Sequence, residues 1–195
     1  MFTEDSLDGN KFGVCLNDVL TDIQRMIRQL NIIDIERAAR LIASADAVLA
    51  FGNGGSHAIA SHLVGDLMLR PGPGVAMAIG DNVVAHTAYA NDYSFEESAA
   101  LYLNRVFSGY TGFNKVLVVF STSGESKNVM RVAKIAREQN YKVIALLGKH
   151  LHRLEPYADI IISVDGNKAG RIEAVHDAVC HAFAEVVPEI KTKGS

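Results

Sequence analysis

Short apolar runs recur along the chain, and none of them alternates cleanly between apolar and polar residues. Continuous apolar runs of this length are typical of strands that are buried on both faces, as in a parallel sheet. The pattern therefore predicts five parallel strands, at 47–51, 75–79, 115–121, 142–147 and 159–164.

The segments between these runs have the spacing of amphipathic helices. Strands that alternate with helices predict right-handed βαβ units, with helices on both faces of the sheet. The sequence thus indicates the α/β class. The helices predicted between the strands lie at 57–69, 82–90, 95–107, 127–139 and, in shorter form, near 150–157.

Two helices are predicted before the first strand and one after the last. Residues 15–30 carry a single apolar stripe, and Asp34 is the predicted cap of the second helix. The last helix is predicted at 168–187 and is followed by a polar tail. We expect one domain over 1–195, with N-terminal helices at 1–45, a sheet-and-helix core at 46–187 and a tail at 188–195.

Composition and net charge limit the kinds of molecule that we expect the protein to bind. Hydrophobic residues make up 49% of the chain and charged residues 21%, which is typical of a soluble globular protein. The net charge of −3 gives no overall attraction to nucleic acid or to an anionic membrane, so we expect neither partner. Cys15 and Cys180 are too few for a disulfide framework and indicate free thiols. An acidic N-terminus and the lack of a long apolar run predict no targeting peptide and no membrane helix, hence a cytoplasmic protein.

The first candidate for chemistry is the glycine turn, residues 52–56, which lies between the first predicted strand and the next helix. It reads GNGGS; glycine lets the backbone approach a ligand closely, and Ser56 is a possible cap for the helix. The turn does not match GxGxxG, and the chain contains no GK[ST] sequence. Dinucleotide and nucleoside triphosphate binding are therefore disfavoured.

The second candidate is the hydroxyl turn, residues 121–126, between the third predicted strand and its helix. It carries four hydroxyl side chains and a glycine. Backbone N–H groups, hydroxyls and the positive end of a helix dipole can bind phosphate without Lys or Arg. Ligands of open parallel sheets bind at such strand ends. The alternative is that each turn is only a capped connection, since Ser, Thr and Gly are common there for local reasons.

Two predicted helices carry histidine and carboxylate side chains on one face. His62 and Asp66 are four residues apart on the helix after the glycine turn. Glu173, Asp177 and His181 also step by four on the last helix. Such an arrangement suits acid/base chemistry or metal binding. The alternative for any one of these histidines is a hydrogen-bonded core or interface residue.

Four stretches of the chain together resemble the phosphoheptose isomerases of the sugar isomerase (SIS) domain superfamily. They are GNGGSHAIASHLVGDL at 52–67, AND at 90–92, FSTSGESKNV at 120–129 and RIEAVHDAVCHAF at 171–183. The resemblance extends over nearly the whole chain, including the N-terminal helices. The two turns in this order are specific for SIS-type sugar-phosphate binding, and the histidine on the last helix narrows the resemblance to the phosphoheptose isomerase branch.

The resemblance implies a flavodoxin-like, three-layer α/β/α fold, assembled as a homotetramer with active sites between subunits. Members of the family interconvert sedoheptulose 7-phosphate and D-glycero-D-manno-heptose 7-phosphate at the start of bacterial heptose biosynthesis. By resemblance, Asp66 and His181 are the catalytic acid/base pair. The implied substrate-binding residues are Asn53, Gly54, Gly55, Ser56, Asp92, Ser121, Thr122, Ser123, Ser126 and Glu173.

Some members of the family bind zinc, at the positions of His62, Asp66, Glu173 and His181. This chain departs from the usual pattern, which has glutamate at the position of Asp66 and glutamine at that of Glu173. An aspartate is one methylene shorter, and a displacement of about 1 Å can cost a catalytic group roughly 10²-fold in rate. A carboxylate at 173 adds negative charge near His181, which favours an imidazolium or a bound cation.

These departures leave two alternatives open: a non-catalytic SIS relative that binds the bacterial replication initiator, and an isomerase of another phosphosugar. Retention of His181 together with a carboxylate at Asp66 favours an enzyme. Isomerisation through an enediol(ate) needs a base near C1 and C2 and an acid near their oxygens, roles that one carboxylate and one histidine can fill. Which of the two removes the carbon proton stays open.

Overall fold

The computed structural model describes residues 9–106, 112–148 and 153–193. Five parallel strands form one sheet: β1 (Ala47–Phe51), β2 (Val75–Ala78), β3 (Lys115–Ser121), β4 (Lys142–Gly148) and β5 (Ile160–Val164). Their spatial order is β2-β1-β3-β4-β5. This is the flavodoxin-like order, and the fold class predicted from the sequence is confirmed. Each strand begins and ends within one residue of its predicted position.

Helices precede, connect and follow the strands. None of those in the described ranges is both long enough and apolar enough to cross a membrane. Of the short helix predicted near 150–157, the described residues show only a 3-10 turn, Glu155–Tyr157. The α-helices are α1 (Gly9–Arg28), α2 (Ile32–Ala43), α3 (Gly55–Met68), α4 (Val83–Asp92), α5 (Phe95–Val106), α6 (Lys127–Glu138) and α7 (Ala169–Lys193).

Both faces of the sheet are covered, and the side chains of each central strand alternate between two cores. Val118 and Phe120 of β3 lie in a core with α2, α3 and α7. Leu117 and Val119 lie on the opposite face, in a core with α5 and α6. Because both faces of β3 are buried, the strand is apolar at every central position. The layers are therefore α/β/α.

The second helix starts differently from the prediction. Its cap is Asn31, whose Oδ1 accepts a hydrogen bond from the backbone N–H of Ile33 at 3.1 Å. Asp34, the predicted cap, lies in the first turn, where its carboxylate accepts hydrogen bonds from Asn31 Nδ2 at 2.7 Å and Arg37 Nη1 at 2.9 Å. Either residue type can cap a helix, so the assignment of Asp34 was wrong by three residues.

The last helix extends beyond 187, where the tail was predicted to begin, because other side chains support its final turns. Pro188 cannot donate a backbone N–H to the carbonyl of Ala184, four residues earlier. Arg70 Nη1 donates to that carbonyl instead, at 2.9 Å. Lys191 Nζ donates to the carbonyl of Gly72. These bonds tie the end of α7 to the segment after α3.

The strand order places the two predicted turns beside each other. β2 lies on one side of β1 and β3 lies on the other, so the chain reverses its direction across the sheet at this point. Phe51 at the end of β1 is paired with Val119 near the end of β3. Crevices at such reversal points are where ligands of doubly wound sheets bind.

A buried histidine makes the stability of this fold dependent on pH. His176 on α7 is fully buried, with its ring centroid 6.1 Å from that of Phe120. Burial lowers the pKa of His176 from 6.5 to about 4. The backbone of Leu147 acts in the opposite direction and raises the pKa of His176, but its effect is smaller than that of burial.

We expect acid to destabilise the protein through His176. Its folded-state pKa is below the unfolded value, so the neutral ring contributes stability above pH 6.5 that is lost as the pH falls toward 4. The contribution lost by pH 4 is about 3 kcal/mol of unfolding free energy. Urea denaturation at several pH values measures it, and His176→Leu should flatten the dependence over this range. An equally steep dependence in that variant would contradict this assignment.

Candidate active site

The glycine turn has its tight shape because side chains are excluded from it. A Cβ at Gly52 would lie 2.7 Å from the backbone of Ser56. Gly54 has φ of 54°, in the left-handed region that favours glycine, and it caps α3 without any side-chain bond. Ser56 is buried in the first turn of α3 and is not its cap, contrary to the expectation. Backbone N–H groups at the start of α3 are thus presented to the crevice.

The hydroxyl turn is organised by its own serines. Ser121 Oγ is buried and accepts a hydrogen bond from the N–H of Gly124 at 3.0 Å. Ser123 Oγ accepts from the N–H of Glu125 at 3.2 Å. Ser126 caps α6 by position, and its side chain makes no capping bond. Because a hydroxyl that accepts still has its own proton, Ser121 and Ser123 remain able to donate to an anion.

A pair of amides joins the glycine turn to the start of α6, the helix that follows the hydroxyl turn. Asn53 Nδ2 donates to Asn128 Oδ1 at 2.9 Å, and Asn128 Nδ2 donates to Asn53 Oδ1 at 2.8 Å. Asn128 is buried at the start of α6, where its Oδ1 also accepts from the N–H of Val129. The sequence analysis did not assign Asn128 a role, because no pattern in the chain indicates its partner. The pair fixes the orientation of the Asn53 side chain.

A cavity of about 310 Å³ opens beside the hydroxyl turn. It is lined by Thr122, Ser123 and Glu125 from the turn and by residues that follow β5 or begin α7. Its size and its hydroxyl lining suit a small polar ligand. Two of the four predicted phosphate-binding side chains, Thr122 and Ser123, therefore lie at a concave surface. The remaining lining residues are Gly166, Asn167, Ala169 and Ile172.

The residues predicted to be catalytic come together where α3 packs against α7. Asp66 Oδ2 lies 3.5 Å from His181 Nδ1 and 3.8 Å from His62 Nε2. The two imidazole rings are edge to face, with centroids 4.8 Å apart. The side chains of His62 and His181 are 49% and 51% exposed, and that of Asp66 is 21% exposed. We call these three residues the His–Asp cluster; it lies at the surface of the folded chain.

Cys180 lies next to the cluster but is not part of it. Its side chain is buried on the core side of α7. Burial raises the pKa of the Cys180 thiol well above its ordinary value, and the negative charges of Asp177 and Asp66 raise it further. The thiolate is the reactive form of cysteine, so Cys180 is inert at neutral pH.

The side chain of Glu173 lies at the start of α3, apart from the His–Asp cluster. A Cβ at Gly55 would lie 2.5 Å from Glu173 Oε2, so the carboxylate lies against the first turn of α3. A negative group is favourable at a helix N-terminus. A cavity of about 350 Å³ is lined by Gly55, His62, Glu173 and Asp177, among others. Glu173 thus borders the same cavity as His62, but the group of possible metal ligands in the described residues contains His62, Asp66 and His181 without it.

Two further acidic residues lie in the segment between β2 and α5. Asp92, a predicted sugar contact, ends α4 and accepts a hydrogen bond from Asn91 Nδ2 at 3.0 Å. Asp81, which the sequence analysis missed, follows β2, and its Oδ1 lies 3.2 Å from His57 Nε2 and accepts a hydrogen bond from Ser61 Oγ at 2.5 Å. The two contacts of Asp81 hold the start of α3 against the turn after β2.

The α/β/α fold, with a glycine turn and a hydroxyl turn at neighbouring strand ends, defines a sugar isomerase (SIS) domain, and the SIS domain family profile matches residues 17–148. A phosphoheptose isomerase of Mycobacterium tuberculosis is 38% identical over 155 residues, which cover 76% of this chain and 77% of that protein. One from Trichlorobacter lovleyi is 32% identical over 187 residues, covering 89% and 90%. The chain belongs to the phosphoheptose isomerase family of SIS domains.

A solved structure gives the same result for the fold. The structure of a phosphoheptose isomerase from Francisella tularensis superposes with a TM-score of 0.81 at 26% identity, covering 94% of this chain and 99% of that one. The match therefore includes α1 and α2 as well as the sheet. The family resemblance drawn from the four sequence stretches is confirmed.

Proposed function

We propose that this protein is a phosphoheptose isomerase that interconverts sedoheptulose 7-phosphate and D-glycero-D-manno-heptose 7-phosphate in bacterial heptose biosynthesis. The observation that carries the proposal is the 3.5 Å approach of Asp66 to His181. An acid/base pair and a phosphate-binding turn on one SIS domain are the parts that an aldose–ketose isomerase requires. Family membership supports the same activity.

The hydroxyl turn binds the phosphate of the sugar. Ser121, Thr122, Ser123 and Ser126 supply hydroxyls, and the start of α6 supplies backbone N–H groups. Phosphate binding at a helix N-terminus is favoured by the helix dipole. Because the phosphate is remote from the reacting carbons, its binding energy serves to orient the sugar for reaction at the other end.

Asp66 and His181 carry the proton transfers. The isomerisation moves one proton between C1 and C2 and another between their oxygens. The 3.5 Å between Asp66 Oδ2 and His181 Nδ1 leaves no room for a carbon chain. The two groups therefore act from the same side of the sugar, one on the carbon proton and one on the oxygens. The glycine turn and Asn53 hold the sugar hydroxyls beside them.

The His–Asp cluster fits a divalent metal. Two imidazoles and a carboxylate are the ligand types that Zn²⁺ binds. Metal–ligand distances of about 2.1 Å in a tetrahedron put ligand atoms about 3.4 Å apart, close to the 3.5 and 3.8 Å separations here. We infer that His62, Asp66 and His181 hold zinc, which when bound polarises the sugar carbonyl. Glu173, the fourth predicted ligand, would have to leave Gly55 to join them.

A homotetramer with sites between subunits is the assembly that we propose. α1 carries a second apolar stripe that faces away from the rest of the subunit, formed by Phe12, Leu16 and Leu20, each more than half exposed. Val83 and Val84 of α4 are 65% and 80% exposed. Exposed apolar patches of this kind mark association surfaces. The outward-facing His–Asp cluster suits a site that a neighbouring subunit completes. Analytical ultracentrifugation tests the assembly.

The activity is tested with purified protein and sedoheptulose 7-phosphate. We expect the aldose 7-phosphate to form, and pentose and hexose phosphates to react more slowly in a parallel panel. Faster turnover of a pentose or hexose phosphate would replace the proposed substrate. No turnover of any phosphosugar, together with recovery of the replication initiator in a pull-down, would favour the non-catalytic alternative. The cytoplasmic location stays a prediction.

A further inference from the structure

Asp177 lies on α7 one turn before His181, and it faces both histidines of the His–Asp cluster. Its Oδ1 is 3.3 Å from His62 Nδ1, and its Oδ2 is 3.7 Å from His181 Nε2. The side chain is 38% exposed. The family resemblance assigns Asp177 no role.

Asp66 and Asp177 together contact all four ring nitrogens of the two histidines. His62 turns Nε2 toward Asp66 and Nδ1 toward Asp177. His181 turns Nδ1 toward Asp66 and Nε2 toward Asp177. Each ring therefore lies between two carboxylates. A neutral imidazole has one N–H and one lone pair, so the carboxylate that accepts the N–H decides which nitrogen is left to bind a metal or take a proton.

We propose that Asp177 is a positioning residue that accepts the ring N–H of both histidines, holding His62 as its Nδ1–H tautomer and His181 as its Nε2–H tautomer. Both lone pairs then point to the side of Asp66, where the chemistry takes place. This inference deepens the proposed function, on which its catalytic meaning rests. The pair of opposite tautomers that it predicts can be tested without measuring any activity.

At His62 the distances favour donation of the ring N–H to Asp177 rather than to Asp66. The contact of His62 with Asp177 is 3.3 Å, within hydrogen-bond range, whereas its contact with Asp66 is 3.8 Å. At His181 the contact with Asp177 is 3.7 Å and that with Asp66 is 3.5 Å, so the Asp177 carboxylate has to move closer to accept this N–H. His62 Nε2 and His181 Nδ1 both face Asp66 Oδ2, so an ion shared by the three atoms requires both nitrogens to be unprotonated.

A metal site needs the same kind of partner for the ring nitrogen that does not bind the metal. Histidines that bind metals usually donate the other ring N–H to a carboxylate or carbonyl, and loss of that partner typically costs 10- to 100-fold in metal affinity. Here one carboxylate serves two histidines. Glu173 cannot take this role in the observed conformation, because its carboxylate lies against Gly55.

The first test is NMR on the full chain labelled with ¹⁵N-histidine, free of metal, at about pH 8, above the ordinary histidine pKa. Long-range ¹H–¹⁵N spectra identify tautomers, and His62→Gln and His181→Gln assign the two rings. We expect an Nδ1–H tautomer for His62 and an Nε2–H tautomer for His181. Asp177→Ala should convert His62 to the Nε2–H form. A His62 ring that is already Nε2–H in the unaltered protein would overturn the inference.

The second test measures zinc affinity by competition with a chromogenic chelator. Asp177→Asn should weaken binding about 10- to 100-fold, and Asp177→Glu should recover part of the loss. Glu189→Gln, a carboxylate-to-amide change at an exposed position two turns beyond His181 on α7, should leave affinity unchanged. Unchanged affinity in Asp177→Asn would overturn the role toward metal.

Failure of this inference is distinguishable from failure of the proposed function. An unaltered protein that isomerises sedoheptulose 7-phosphate, with tautomers and zinc affinity insensitive to Asp177, would overturn the inference alone. An inactive unaltered protein whose His62 tautomer depends on Asp177 would overturn the function and support the positioning role.

Discussion

Asp66→Asn is expected to lower kcat for sedoheptulose 7-phosphate by about 10²- to 10⁴-fold, with a much smaller change in KM. The amide keeps the size and polarity of the side chain but cannot act as an acid or a base in either proton transfer. Because Asp66 Oδ2 lies 3.5 Å from His181 Nδ1, the substitution also removes the negative charge that faces the imidazole. Initial rates of aldose formation at saturating substrate measure the effect.

His181→Ala should cause a loss of the same order, and the double variant should lose little more than the worse single one, since residues that act as a unit are non-additive. Zinc content measured on each variant separates lost proton transfer from lost metal. Glu189→Gln serves as the control on α7. Normal turnover in both single variants would exclude this pair as the acid and base.

The fold was predictable because the signals that specify it are local. The run KVLVVFS at 115–121 has no polar position in its centre, and β3 is buried on both faces. A strand with one face in water would have shown alternation. The same holds for β1 at 47–51. Helix ends were less certain, because Asn31 and Asp34 are both suitable caps and only the path of the chain decides between them.

The sequence also indicated which residues the site contains, because His62 and Asp66 share a helical face by spacing alone. It did not indicate contacts between elements. Asp177 was noted only as a member of a stripe, and its contacts with His62 depend on how α7 crosses α3. Asn128 pairs with Asn53 from 75 residues away, and no periodicity records that distance.

Glu173 shows the limit of carrying a role over from relatives. Its spacing from His181 is right for a shared face, yet its carboxylate lies against Gly55, at the start of α3. A glutamate is attracted to the N-terminus of α3 more strongly than a neutral glutamine would be. The negative charge at this position therefore gives a physical reason for where the side chain lies.

Gly148→Ala is expected to damage the proposed phosphate site, because it adds a methyl group where the neighbouring backbone leaves no room. Gly148 ends β4, and a Cβ there would overlap the carbonyl oxygen of Thr122 and lie 3.3 Å from Ile172 Cδ1. The nearest group is backbone, so it cannot rotate away, and the hydroxyl turn must move. We expect a loss of about 1–3 kcal/mol in unfolding free energy, as for other overpacked sites.

The displaced turn should also bind phosphate less well. KM should rise about tenfold for each 1.4 kcal/mol of lost phosphate binding, and inhibition by inorganic phosphate should weaken in parallel. Gly65→Ala is the matched control, because a Cβ at Gly65 in α3 meets nothing within 4 Å and alanine favours the helix. Steady-state kinetics and urea denaturation of both variants make the comparison. A Gly148→Ala enzyme with unchanged KM and unchanged phosphate inhibition would show that the hydroxyl turn is not where the phosphate binds, since the turn cannot keep its position beside an added methyl group.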